Sequence, residues 1–150
     1  VFFCFHDLTM HRYVLKEVPV SYFQGEAWLR KAYLARSCEL ADEAVRELRV
    51  GADCEFHVCT GFVNDAIAQR LAAEGFKVVR VKIVGETQRL VEGAYVGALR
   101  ALGVSNLSPD AGKNRFYVLL EWVHGDLGKR EGYVKTGWEA WRKKWRYWKA

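Results

Sequence analysis

The chain lacks any apolar run approaching the ~20 residues that a membrane helix needs, so no bilayer insertion is expected. Its opening, Val1-Phe2-Phe3-Cys4-Phe5, has no basic flank and no small-residue cleavage site, and it is too short to read as a signal peptide. There is no Cys-x-x-Cys pair, no Gly-x-x-x-x-Gly-Lys-Ser/Thr phosphate loop, no Gly-x-Gly-x-x-Gly dinucleotide fingerprint and no Gly-x-Ser-x-Gly nucleophile elbow. These absences remove the common nucleotide-binding and serine-hydrolase readings. Gln and Asn are sparse while Arg, Lys and Glu are plentiful, a balance that leans towards a thermophilic source.

The four cysteines, Cys4, Cys38, Cys54 and Cys59, sit in apolar or amphipathic stretches. A chain of this length buries about two-thirds of its unfolded surface and needs no covalent staples. The thiols therefore read as small hydrophobes in a reducing, cytoplasmic setting. At 150 residues and 51% hydrophobic content the chain fits one α/β domain spanning 1–150, rich in aromatics with six Trp, seven Tyr and eight Phe.

Charge is unevenly distributed. Residues 129–150 hold eight Lys or Arg against two Glu, a net +6, which leaves −1 for residues 1–128 out of the total of +5. The basic character belongs to the C-terminal segment.

Hydrophobic periodicity predicts the order β-β-α-β-α-β-α-β-α. Strands are expected at Val1–Phe5, Arg12–Val20, Cys54–Cys59, Phe76–Val84 and Arg115–Val123. A long helix is expected over Glu26–Leu48, with Leu34, Cys38, Ala41, Val45 and Leu48 facing a core and Gly51 closing it. Others are expected over Val63–Glu74, Glu86–Leu102 and Gly137–Ala150. Val104–Asn114 reads as a loop, and Gly93 and Gly97 read as sites of close helix packing. Cys54–Val84 has the form of a parallel crossover unit. Together these predict a mixed sheet of about five strands with one face partly open. Glu55, His57, Arg80, Lys82, Arg115, Tyr117 and Glu121 would share that face.

The segment from Gly137 to Ala150 is the most unusual. As a single helix within the basic, Trp-rich stretch 134–150, it gathers Trp138, Trp141, Trp145 and Trp148 in a stripe about 80° wide. Such a stripe docks on a core or presents rings to a partner. With Arg142, Lys143, Lys144 and Arg146 around it, it suits stacking and phosphate contact. Arg80, Lys82, Arg115 and Tyr117 would add a basic platform with an aromatic, of the kind that single-strand binders use. The leading expectation is a non-catalytic domain that binds nucleic acid, single strands above duplex, with DNA and RNA undistinguished.

Two other readings use different residues. A small enzyme, such as a divalent-metal-dependent nuclease, would draw on Asp7, Glu55 and either Asp65 or Glu92. A pocket at the two Gly turns would gather Thr60, Asn64, Asp65, Glu86, Thr87 and Gln88. No catalytic residue is assigned, and no cofactor is expected. His6 and His11 flank a turn, and Glu55, His57 and Cys59 alternate on one strand. Neither set has zinc-site spacing, so no metal site is assigned. The third reading is a protein-interaction or homo-oligomerisation module.

Overall fold

A computed structural model describes residues 1–105, 107 and 112–149, except the side chain of Lys113. Along the described residues run β1 (Phe2–Asp7), β2 (Arg12–Glu17), a 3-10 turn (Val20–Phe23), α1 (Gly25–Leu29), α2 (Ala32–Leu48), β3 (Glu55–Cys59), α3 (Phe62–Ala73) and β4 (Lys77–Val81). There follow α4 (Glu86–Ala101), α5 (Gly112–His124), α6 (Leu127–Arg130), a second 3-10 turn (Glu131–Tyr133), α7 (Glu139–Lys143) and a third (Trp145–Tyr147). The chain divides into two compact units, Val1–Val18 with Tyr33–Val91, and Pro19–Ala32 with Glu92–Ala150.

The first unit holds all four described strands. β1 and β2 form an antiparallel hairpin in the register Phe2↔Glu17 to Asp7↔Arg12. Asp7 fixes its turn: one carboxylate oxygen accepts the Thr9 and Met10 N–H groups at 3.1 and 3.0 Å, and His11 takes a positive φ of 51°. Asn and Asp favour turns by this local bonding. The crossover reading holds, because β3 and β4 pair in parallel with α3 between them. Ala41, Val58, Ile67, Ala68 and Leu71 form the core of the unit, with Phe3, Phe5, Phe56, Phe76 and Val78 packed on it.

The expected five-stranded sheet is overturned. The described strands form two separate two-stranded sheets, β1-β2 and β3-β4. Part of the reason lies at Arg115–Val123, which is helical within α5. Phe116, Val118, Leu120 and Trp122 satisfy a period of two. Phe116, Leu120, Val123 and Leu127 equally satisfy helical spacing, and Leu120 and Val123 are the buried ones. Short apolar runs are ambiguous in this way.

Other boundaries shift for local reasons. The helix expected over Glu26–Leu48 is broken in two, with Lys31 at φ 53° between α1 and α2. The buried face of α2 is Tyr33, Ser37, Leu40, Ala41, Ala44 and Leu48, largely one residue out of phase with the expected stripe. Its C-terminal residue in left-handed conformation is Arg49, at φ 53°, ahead of Gly51. Among the described residues, nothing stands within 4 Å of where a Cβ on Gly93 or Gly97 of α4 would be, so these residues show no close helix packing there.

The second unit is helical. Val96, Val104 and Leu107 are buried together with Leu99, Val118, Leu119 and Trp122 against them. Leu120, Val123 and Trp141 form another cluster, joined by Phe116, Leu127, Val134, Trp145 and Trp148. The expected helix Gly137–Ala150 is instead the short α7 and a 3-10 turn, interrupted at Lys144, with φ −133° and ψ −62°; Ala150 lies outside the described residues. Much of the expected loop Val104–Asn114 also lies outside them; its last residues, from Gly112, begin α5. No helix among the described residues is long and apolar enough to cross a membrane.

Candidate nucleic-acid interface

The basic C-terminal segment is built on an aromatic base. Trp141 is 3% exposed and packs with Leu120 and Val123. Its indole N–H donates to Glu131 Oε1 at 3.0 Å. Trp145 lies edge-on to Phe116, with centroids 4.9 Å apart, and His124 Nε2 donates to the Trp145 carbonyl at 2.8 Å. Trp148 stands 5.7 Å from the His124 ring and 6.4 Å from Tyr117. Buried aromatics with a satisfied N–H anchor a segment firmly. Trp138 is different, with 44% of its surface exposed. The stripe read from the sequence therefore serves mainly the core, with one ring left outside.

The four basic residues expected here have unlike roles. Arg142 is exposed and has no carboxylate partner among the described residues. Lys143 pairs with Glu139 one helical turn away at 2.6 Å, an exposed pairing of little energetic weight. The Lys144 ammonium lies 4.3 Å from the Trp145 ring centroid. Arg146 is committed to Glu131: Nε reaches Oε1 at 2.7 Å and Nη2 reaches Oε2 at 3.2 Å. That fork raises the Arg146 pKa and, by hydrogen bonding from Arg146 and then Trp141, holds the Glu131 carboxyl below its ordinary value.

Two residues that the sequence pattern did not single out complete the surface. Tyr147 is 67% exposed, and Lys149 is exposed without a carboxylate partner among the described residues. Both stood in plain view in the basic run. Tyr117, from α5, is 47% exposed and touches Trp145 and Trp148, so it belongs to this surface.

The remaining expected residues lie on other elements. Arg115 is half-buried on α5. Arg80 lies in the first unit, where it donates to the Asn64 carbonyl at 2.8 Å and to Asp65 at 2.5 Å. In a parallel pair, partners in register share a face. Arg80 is therefore on the Val58 side with α3, while Glu55, His57 and Cys59 share the opposite face with Lys77, Val79 and Val81. Lys82 is exposed beyond the end of β4. No single sheet face carries the seven residues expected to share one, since 115–123 is helical and Arg80 lies on the face opposite Glu55 and His57.

Of the acids that an enzyme would draw on, Asp7, Glu55 and Asp65 are engaged locally. Asp7 holds its turn and pairs with Arg12 at 3.3 Å; the Met10 N–H foremost keeps its carboxyl below the usual range. Glu55 is bonded by Lys77 and by His57 Nε2 at 2.7 Å, with Lys77 the larger cause of its lowered pKa. Thr87 meets His6 Nδ1 at 2.9 Å, Glu86 and Gln88 are exposed, and Glu92 lies on α4. A groove in this unit is lined by other residues, Asp42, Val45, Arg46, Arg70, Leu71, Glu74 and Phe76. No group of three His, Cys, Asp or Glu among the described residues is placed to hold a metal ion. The thiols of Cys4, Cys38 and Cys54 are each pushed above their ordinary pKa by burial, the reverse of an activated cysteine. No protein-family model, curated protein or solved structure matches this chain.

Proposed function

We propose that the C-terminal surface binds single-stranded nucleic acid, with no chemistry performed on it. One observation carries the reading: exposed cations and exposed flat rings alternate along one short segment. Arg142, Lys143, Lys144 and Lys149 supply phosphate contacts, while Tyr147 and Trp138 supply stacking faces. Tyr117 extends the aromatic surface beside Trp145. Single strands suit this combination, because their bases are free to stack and every base has a face to offer. Arg146 is held by Glu131 and acts on the fold of the segment.

The test is fluorescence anisotropy with a labelled oligonucleotide across a salt series. Affinity should fall steeply with salt through counterion release. Changing Arg142, Lys143, Lys144 and Lys149 together to Gln should leave the fold intact and flatten the log–log salt slope by about 3, at about 0.7 for each phosphate no longer neutralised. Tyr147→Ala should weaken binding by about tenfold with an unchanged slope, since stacking is worth ~1–3 kcal/mol per base. No binding at low salt, or an unchanged slope in the four-Gln variant, rejects the proposal.

A further inference from the structure

The β2 edge of the hairpin is an unused strand-pairing surface. Val1 and Val18 exchange both backbone hydrogen bonds, Val18 N–H to Val1 O and Val1 N to Val18 O, each at 2.8 Å. Bonded and non-bonded pairs alternate along an antiparallel ladder. Phe3↔Lys16, Phe5↔Val14 and Asp7↔Arg12 are therefore the bonded pairs. Tyr13, Leu15 and Glu17 must direct their N–H and C=O groups away from β1. The sheet stops at two strands, and no described backbone or side-chain group takes these up.

The side chains at this edge point the same way. Tyr13 and Leu15 are 48% and 40% exposed, whereas every residue of β1 is half-buried. The charged residues of the other face are engaged. Arg12 donates to the Leu48 carbonyl, and Lys16 pairs with Glu47 at 2.6 Å and Glu43 at 3.7 Å. Exposed edges are ordinarily guarded by lysine, proline or a bulge. Here Tyr13 and Leu15 stand outward on a regular strand, with Glu17 the one charge on their face.

We infer that β2 pairs antiparallel with β2 of a second copy of this chain about a two-fold axis through Leu15. Hydrogen-bond parity requires Tyr13, Leu15 and Glu17 to meet one another. The register centred on Leu15 sets Leu15 opposite Leu15, Tyr13 opposite Glu17 and Lys16 opposite Val14, so no like charges are opposed. Two apolar side chains meet at the axis, and the hairpins join into a four-stranded sheet. Isologous pairing of one patch with itself is the commonest route to a dimer.

Sedimentation equilibrium of the full chain, with amide hydrogen exchange over the same concentrations, tests the inference. Expected are a concentration-dependent shift to twice the monomer mass and, with it, slowed exchange at the amides of Tyr13, Leu15 and Glu17. Phe2, Cys4 and His6, on the other edge, should not change. Leu15→Lys, which opposes two ammonium groups at the axis, should raise the dissociation constant at least about tenfold. Leu8→Lys, in the exposed hairpin turn, should leave it unchanged. A monomer up to about 1 mM overturns the inference. So does a dimer in which those three amides exchange as fast as in the monomer, a reading on the unaltered chain that stands even if Leu15→Lys misfolds.

Discussion

A methyl group on Gly137 would come within 2.6 Å of Trp28 Cβ and Cδ2, and closer still to Cγ. The Gly137 N–H donates to the Phe23 carbonyl at 3.0 Å, so the backbone there has little room to retreat. Gly137 does not have a positive φ, so the cost of Gly137→Ala is steric. Overpacking of this kind costs typically ~1–3 kcal/mol. Urea denaturation should show a lower midpoint for Gly137→Ala at unchanged slope. Adding Trp28→Leu should recover part of the loss, because the ring that opposes the methyl is gone. None of this was legible in the sequence, where Trp28 and Gly137 stand 109 positions apart and neither carries a local signal. Arg146 makes the same point. Its charge was plain, but its use was decided by Glu131, fifteen positions earlier.

At the scale of elements, the sequence was most readable where two signals agreed. β3 combines strict alternation with a following glycine, α3 and β4 are each closed by a glycine, and the parallel crossover followed from them. α5 failed because its apolar residues fit both periods, and burial by partners distant in sequence chose the helix. The last segment failed differently. Its Trp residues recur at helical spacing, but Lys144 leaves the helical region and the chain turns after α7, so no single helix carries them. Glu131 holds that turn through Trp141 and Arg146. Its folded pKa is depressed, so its stabilising effect is full above the unfolded value, about 4.3, and is lost as pH falls through the lower folded one. Wild type should therefore be more stable than Glu131→Gln at pH 7, and the gap should narrow below about pH 4, as read by denaturant midpoints at each pH. Trp141→Ala removes a fully buried ring and should cost about 3–5 kcal/mol. In the nucleic-acid titration it should also loosen Arg142 and Tyr147 and weaken binding at a nearly unchanged salt slope.

At the scale of the whole molecule, the two proposed surfaces draw on different residues and are separable by experiment. Backbone amide shifts on adding oligonucleotide should cluster at Tyr117 and in 138–149 and leave Tyr13, Leu15 and Glu17 unmoved. Leu15→Lys should bind oligonucleotide like the unaltered chain when both are held monomeric. Shifts centred on the hairpin would count against the C-terminal assignment.

The division into two units also sorts the chain by its optical and thiol chemistry. All six tryptophans, at 28, 122, 138, 141, 145 and 148, fall in the second unit, and all four cysteines fall in the first. Intrinsic tryptophan emission therefore originates wholly in the second unit. Thiol labelling acts wholly within the first. A single unfolding experiment read by both, emission wavelength beside the rate of thiol modification, gives each half of the molecule its own signal without a single engineered label. Within the emission itself, an aqueous quencher should reach Trp138 and spare Trp141, so that a fall in quenching on adding oligonucleotide marks cover over the exposed ring.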